Sequence, residues 1–221
     1  MELEAYVINT KLLAKSDVLI TVLTPKGLFN IYGRGYLSLK HKYHILVNRG
    51  IKIKLYGNVK GNYFRVSDYD LMSTDTILTL DIELFEMYTR IVKLVMYIDH
   101  LLDDVSFALF DFCVTELENY NINLLIDLWK VFVLKKENVV LDFTTCMKCG
   151  RQNDFKTLSL QEGGLICVSC YTNQKIISVE DIKILNAFYN TKLSTLKMGY
   201  NREVSIFLTE LVEQNIGLKI I

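Results

Sequence analysis

The first seventy residues follow a period of two in their apolar and polar positions. From residue 51 to residue 56, Ile or Leu at each odd position alternates with Lys or Tyr at each even position, which predicts a strand with one buried face. A turn-rich stretch, GNVKGN at residues 57–62, follows this strand. Apolar, β-branched runs bounded by turn formers predict further strands near residues 4–11, 18–24, 28–32 and 63–66. Five such strands predict a small closed barrel.

The rest of the chain follows a helical period. Apolar residues recur at intervals of three and four over residues 84–98, 107–117 and 124–132, and neither Gly nor Pro occurs from residue 80 to residue 141. Ser178, followed by two acids, is typical of a helix N-terminus, and a last helix is expected from about Arg202 to Gln214. The predicted fold class is therefore α+β.

The two patterns divide the chain into two predicted domains. An N-terminal OB-fold β-barrel is expected in residues 1–75, since five strands in about seventy residues suit that architecture. An α-helical bundle is expected in residues 76–221, and it carries a four-cysteine insertion at about residues 143–173.

Charge is distributed unevenly, although the chain has 25 basic and 25 acidic residues. Residues 1–65 contain eleven Lys or Arg and three Asp or Glu, a net charge of +8. Residues 66–145 contain five and fifteen, a net charge of −10, and residues 146–221 contain nine and seven, a net charge of +2. Such an asymmetry indicates a separate basic surface with a function of its own.

Four of the five cysteines form two C-x₂-C pairs separated by seventeen residues: Cys146, Cys149, Cys167 and Cys170. This spacing is typical of a four-thiolate zinc site. Because protein ligands fill all four positions, we expect one structural Zn²⁺ per chain that does no chemistry. Four unrelated buried cysteines, or a redox pair, are the alternatives. The fifth cysteine, Cys113, lies on an apolar helical stripe and is expected in the core.

Cations and aromatic residues are interleaved in the barrel segment. Residues 25–63 contain no acid, and the even positions from 52 to 56 should share one side of their strand with residues 63 and 65. Such a face can contact phosphates and stack on the bases of a single strand. A solvated outer face carrying Lys for solubility is the alternative. The predicted DNA-binding residues are Arg34, Lys40, Lys42, Lys52, Lys54, Tyr56, Tyr63 and Arg65.

Catalytic and export motifs are not recognisable. None of His41, His44 and His100 belongs to a metalloprotease or nucleophile motif, and the Gly33-Arg34-Gly35 turn lacks the further Gly and Lys of a phosphate loop. We therefore expect a protein that is not an enzyme. Because the chain has neither an export signal pattern nor an apolar run of about eighteen residues, we expect a cytoplasmic protein with no membrane partner.

The stretch KSDVLITVLTPKGLFNIYGRG, residues 15–35, resembles the N-terminal signature of the bacterial recombination mediator RecO. The predicted order of barrel, helices and four-cysteine clip also agrees with that family. The chain departs from the family after the Arg-Gly turn, where RecO proteins usually have several Arg and residues 36–42 here read YLSLKHK. The matching positions are Ser16-Asp17, Leu23-Thr24, Gly27 and Gly33-Arg34-Gly35.

This resemblance implies a non-enzymatic role in DNA repair and homologous recombination at the bacterial nucleoid. RecO proteins bind single- and double-stranded DNA and anneal complementary strands. Together with RecR they help to load recombinase onto DNA coated by single-stranded-DNA-binding protein, whose C-terminal tail they contact. The resemblance implies zinc on the four cysteines and DNA at Arg34 and the cations near it. For the tail, the acidic helical segment offers one cationic cluster, Lys130, Lys135 and Lys136.

Two other functions remain open from the sequence. One is an RNA- or ribosome-associated binding protein with an OB barrel and a zinc ribbon. The other is an adaptor whose barrel binds an acidic protein, with the Lys residues matching that partner's charge.

Overall fold

The computed structural model describes residues 1–73, 82–116, 119–190 and 200–217. The chain forms two compact units, Met1–Asn119 and Tyr120–Ile221. The predicted α+β class is confirmed, with an N-terminal closed barrel of five strands followed by helices and a cysteine cluster. The predicted domain boundary near residue 75 lies in residues 74–81, outside the described residues.

Five strands close the barrel in the order β1-β2-β3-β5-β4, and β4 pairs with β1. The β3–β5 pairing is parallel, and the other four are antiparallel. All five predicted strands are present, but β4 continues through most of the predicted turn, so that the hairpin turns at Gly61-Asn62. The strands are β1 (Glu2–Ala14), β2 (Asp17–Thr24), β3 (Gly27–Gly33), β4 (Lys52–Lys60) and β5 (Tyr63–Ser73).

Side chains from alternate positions of each strand fill the barrel. The predicted alternation over residues 51–56 is confirmed, because the odd positions are buried and the even positions are half-buried. A side chain at Gly57 would bring its Cβ within 2.0 Å of the Arg65 carbonyl oxygen, so only glycine fits beside the bulge in β5. The inward-facing core residues include Ala5, Val7, Ile20, Val22, Ile31, Ile53, Leu55 and Phe64.

Two helices belong to the barrel unit, α1 (Ile82–Tyr97) and α2 (Asp104–Thr115). The Tyr6 ring on β1 lies 5.1 Å from the Phe110 ring of α2, and the Tyr88 hydroxyl of α1 donates a hydrogen bond to the Val7 carbonyl oxygen at 2.7 Å. These contacts bury one outer side of β1, and they explain why both helices group with the barrel.

The second unit inserts a small sheet between its helices. Strands β6 (Asp142–Cys146), β7 (Phe155–Ser159) and β8 (Gly164–Cys167) follow helix α3 (Ile122–Lys136), and their order in the sheet is β6-β8-β7. Two helices come next, α4 (Val179–Asn190) and α5 (Arg202–Ile216). The predicted N-cap is confirmed, because the Ser178 hydroxyl accepts the Asp181 N–H at 3.1 Å.

None of the described helices is both long enough and apolar enough to cross a bilayer.

Candidate metal site and nucleic-acid face

The four clustered cysteines come together as the spacing predicted. Their sulfur atoms all lie within 4.8 Å of one another, and the Cys149 and Cys167 sulfurs are 3.7 Å apart. Four sulfurs held tetrahedrally at about 2.3 Å from one ion would be about 3.8 Å apart. The geometry therefore fits a site that could hold one metal ion.

Local strand pairing builds this site. Cys146 is the last residue of β6 and Cys167 is the last residue of β8, and these two strands lie side by side in the sheet. The second cysteine of each pair follows within the next turn. Gly150 makes the first turn possible because its backbone is left-handed, with φ of 73°.

Hydrogen bonds favour a thiolate at Cys146, while repulsion between neighbouring thiolates opposes ionisation of all four cysteines. Burial disfavours the Cys146 thiolate, but backbone N–H groups, including that of Cys167 at 3.3 Å, lower the pKa of Cys146 to about 6. Hydrogen bonding to the neighbouring cysteines raises the pKa of Cys170 to about 12. Four thiolates so close together repel one another, so a bound cation would stabilise the fully ionised set.

The predicted DNA-binding residues on β4 lie between acids of the neighbouring strands. Strand register places Glu4 and Asp70 on either side of Lys54. The Lys54 ammonium lies 3.1 Å from the Glu2 carboxylate, and the Tyr56 hydroxyl donates to Asp70 at 2.7 Å. Lys54 and Tyr56 on the outer side of β4 are therefore bonded to acids of the neighbouring strands.

Lys52 is a structural residue within the first unit. Its ammonium lies 2.6 Å from the Asp111 carboxylate of α2, and its side chain is only 19% exposed. The same carboxylate oxygen accepts the Tyr6 hydroxyl at 2.6 Å, and burial together with this bond raises the pKa of Tyr6. Lys52 thus fixes α2 to the barrel.

The other predicted cations lie in the β3–β4 connection and on β5. Lys42 pairs with Asp68 at 3.0 Å, and this bond raises the pKa of Lys42. Both side chains are mostly exposed, so the pair adds little stability. In the part of the chain that the structure describes, no carboxylate lies within 4.0 Å of the Arg34, Lys40 or Arg65 side-chain nitrogens.

An outward surface of the barrel brings exposed rings beside cations that have no ion-pair partner among the described residues. The register aligns Lys11, Leu19 and Tyr32 in one row, and it aligns Asn30 with Tyr63 and Tyr63 with Lys60 in the next. Tyr32 is 54% exposed and Tyr63 is 51% exposed. We name this surface the tyrosine face, and it consists of Lys11, Tyr32, Lys60, Tyr63 and Arg65.

Among the described residues, Asp17 borders the tyrosine face, and its carboxylate is already bonded. Asp17 accepts the Tyr32 hydroxyl at 2.8 Å and the Gly35 N–H at 2.9 Å, and these bonds lower the pKa of Asp17. Lys11, Tyr32 and Lys60 were not among the DNA-binding residues predicted from the sequence. Their signal is cross-strand register, which residue spacing along a single strand does not contain.

The three lysines proposed for the partner site differ in exposure. Lys130 is only 4% exposed, and its ammonium donates to Asp127 at 2.8 Å and to Thr209 at 2.9 Å. It is therefore not part of a surface cluster, because its partner one helical turn away holds it in the interior. Lys135 is exposed, with its ammonium 5.8 Å from the Tyr189 ring centre, and Lys136 lies over Phe132 at 5.4 Å.

The chain has also been compared with known proteins. No protein-family model matches it, and no curated protein matches it.

Proposed function

We propose that the barrel is an OB fold that binds nucleic acid through the tyrosine face. A closed five-stranded barrel is the architecture of OB folds, which bind oligonucleotides on strands 2 and 3 and on the β1–β2 and β4–β5 turns. In this chain Tyr32 lies on β3, and Lys60 and Tyr63 flank the β4–β5 turn. The candidate residues thus occur where that class of fold uses them.

The observation that carries this proposal is the pairing of exposed rings with cations that have no acidic partner among the described residues. Stacking of one base on an aromatic ring contributes about 1–3 kcal/mol, and it tolerates any base sequence. The ammonium of Lys60 and the guanidinium of Arg65 are available to phosphates next to such a stack. A single strand satisfies both requirements, because its bases are accessible.

Salt dependence tests this proposal directly. For single strands, each phosphate contact contributes about −0.7 to the slope of log affinity against log salt. We expect Lys60→Gln and Arg65→Gln each to reduce that slope by about this amount in a fluorescence anisotropy titration. Lys54→Gln removes the same charge from an ion-paired lysine of the same barrel, and it should leave the slope nearly unchanged.

Two results would contradict the proposal. Equal loss from all three variants would mean that general charge, not the tyrosine face, attracts the strand. An absence of binding at low salt would overturn nucleic-acid binding altogether and favour an adaptor for an acidic protein. Tighter binding to RNA than to DNA of the same sequence would favour an RNA- or ribosome-associated role.

On the RecO resemblance, we further propose that the chain mediates recombination. It would bind single- and double-stranded DNA, anneal complementary strands and act with RecR at the bacterial nucleoid. Cations that cover phosphates reduce the repulsion between two strands, which allows them to approach and pair. Lys135 and Lys136 remain candidates for the tail of single-stranded-DNA-binding protein. An annealing assay with and without that protein tests this role.

We propose that the metal is Zn²⁺, one per chain, in a structural role. Four cysteine thiolates are a ligand set that Zn²⁺ prefers, and they would leave no coordination position for water or substrate. The support for this proposal is the distance between sulfurs and the N–H groups that favour a thiolate at Cys146. A bound ion would connect the ends of β6 and β8 with the turns that follow them.

A further inference from the structure

The connection between β3 and β4 exposes an apolar side chain among cations. Leu39 is 84% exposed, and Leu37 in the same connection is also exposed. Arg34 and Lys40 flank these leucines, and within the described ranges neither has a carboxylate within ion-pair distance. A partner that covered this side chain would remove its apolar surface from water, which is favourable.

The backbone beneath Leu39 is held in place. The buried Tyr36 ring lies 4.7 Å from the His41 ring and 5.2 Å from the Tyr43 ring. The Leu37 N–H donates to the Ser16 carbonyl oxygen at 3.3 Å, and the His41 N–H donates to the Ser38 carbonyl oxygen at 2.8 Å. Leu39 is therefore presented by a turn with fixed ends.

The end of β1 and the β1–β2 turn also expose leucines and a cation. The Leu37–Ser16 hydrogen bond connects this turn to the β3–β4 connection; Leu12 and Leu13 are exposed at the end of β1, and Lys15 is exposed in the turn. From residue 5 to residue 67 the sequence contains one acid, Asp17, whose oxygens are bonded as described above. We name this surface the leucine tip, and it consists of Leu12, Leu13, Lys15, Arg34, Leu39 and Lys40.

We propose that the leucine tip inserts Leu39 against unstacked bases of a bound nucleic acid. This inference rests on the nucleic-acid binding proposed above. The cations select a polyanion, and in a polyanion of this kind the faces of opened bases are the apolar surface that a leucine can cover. In DNA-binding proteins, Leu and other apolar side chains insert as wedges between neighbouring bases and partly unstack those bases. Tyr32 lies two residues before Arg34, so a strand stacked on the tyrosine face would continue onto the tip.

A nucleic acid fits this surface better than an acidic peptide or an anionic bilayer. An amphipathic acidic peptide docks in an apolar groove, whereas the leucine tip is made of exposed side chains at the end of β1 and in two connections. Tyr32 and Tyr63 are both more than half exposed, and they supply ring faces on which the bases of a strand that reaches the tip can stack. The bilayer serves as a second arm of the test.

The test uses the full chain and single-stranded DNA that contains 2-aminopurine, whose fluorescence rises when it unstacks. We expect saturating wild-type protein to raise the fluorescence at least twofold. Leu39→Ser should remove more than half of this rise and weaken binding about threefold, with an unchanged salt slope. Val105→Ser, at a position of α2 that is 52% exposed, is the matched control and should behave as wild type.

Three other outcomes would contradict the insertion of Leu39 between bases. If Leu39→Ser gives the full fluorescence rise while DNA binds normally, the wedge is wrong and the tyrosine face still stands. If the protein does not bind DNA at low salt, both proposals fail. If Leu39→Ser abolishes sedimentation with phosphatidylserine–phosphatidylcholine vesicles and leaves the DNA signals intact, the tip binds lipid instead.

Discussion

Asp127 and Lys130 are charged residues in the interior of the second unit. The Asp127 carboxylate accepts the Lys130 ammonium at 2.8 Å and the Ser205 hydroxyl at 2.9 Å, so α3 and α5 share a buried polar network. Burial raises the pKa of Asp127, and its bonds to Lys130 and Ser205 counteract that effect. The network is stable only as a set, because either charge alone would be buried without a partner.

We therefore expect Lys130→Met to lower the free energy of unfolding by about 3–5 kcal/mol at pH 7. Without Lys130, the pKa of Asp127 in the folded state should lie further above its unfolded value of about 3.9. The folded state would then bind the proton more tightly, so the loss should be smallest near pH 4 and should grow as pH rises to the folded-state pKa. Urea unfolding at pH 5 and pH 7.5 measures this change against wild type.

Two controls separate the buried pair from a general effect of losing a lysine. Lys135→Met changes an exposed lysine of the same helix, and it should cost less than about 1 kcal/mol because only a ring contact is lost. The double variant Asp127→Leu/Lys130→Met should recover much of the stability, since no buried charge remains. A loss from Lys130→Met that does not vary with pH would contradict the argument.

The sequence contains an indication of this buried pair that the predicted partner site did not use. Lys130 was grouped with Lys135 and Lys136 by proximity in the chain. Asp127, three residues earlier in an otherwise apolar run, marks Lys130 as one member of a pair, because unpaired charges are rarely kept in an interior. The positions of Ser205 and Thr209, by contrast, depend on how α5 packs, and sequence alone does not determine that packing.

The cysteine clip is the element whose sequence and structure agree most closely. Its ligands are local, since each C-x₂-C pair occupies one turn and the two turns follow paired strands. Spacing therefore predicted the cluster. The barrel was also recognised as five strands, because alternation is a local property. Its closure was expected from the number of strands and is confirmed, whereas alternation does not contain the partner of each strand, such as the pairing of β1 with β4 across about fifty residues of chain.

Removal of the metal should destabilise the part of the fold that contains the four cysteines. We expect about one zinc per chain by elemental analysis, and we expect Cys149→Ser and Cys170→Ser to lose it. A chelator should lower the melting temperature by roughly 5 °C or more, because metal binding contributes directly to folding free energy. Cys113→Ala removes the cysteine outside the cluster and should keep the metal. Zinc retained by both serine variants would contradict the assigned ligands.

The whole chain is electrically neutral, so attraction for a polyanion depends on how charges are arranged. Extending the count of residues 1–65 through Asp68 and Asp70 lowers the net charge from +8 to +6. The compact unit of residues 1–119 contains thirteen basic and fifteen acidic residues. What favours the proposed nucleic-acid binding is that β1 and β5 acids pair with the cations near them, while the cations of the tyrosine face have no such partner in the described residues.

This arrangement predicts a gain of function from removing two acids. Glu2→Gln and Asp68→Asn release Lys54 and Lys42 from their ion pairs, so the double variant should present two more cations to a bound strand. We expect its affinity for single-stranded DNA to rise severalfold at low salt and its salt slope to steepen by about 0.7 for each released cation that reaches a phosphate. Anisotropy titrations at several salt concentrations measure both quantities.

A matched control distinguishes local pairing from net charge. The control is the double variant Asp104→Asn/Glu116→Gln, whose two acids form no ion pair with described residues. It changes the net charge by the same amount as Glu2→Gln/Asp68→Asn, and the affinities of the two double variants should be compared. At 0.1 M salt the screening length is about 10 Å, so acids outside the contact area should have little influence. Equal gains from the two double variants would show that net charge governs binding. A gain confined to Glu2→Gln/Asp68→Asn would show that the acids beside β4 limit the extent of the binding face.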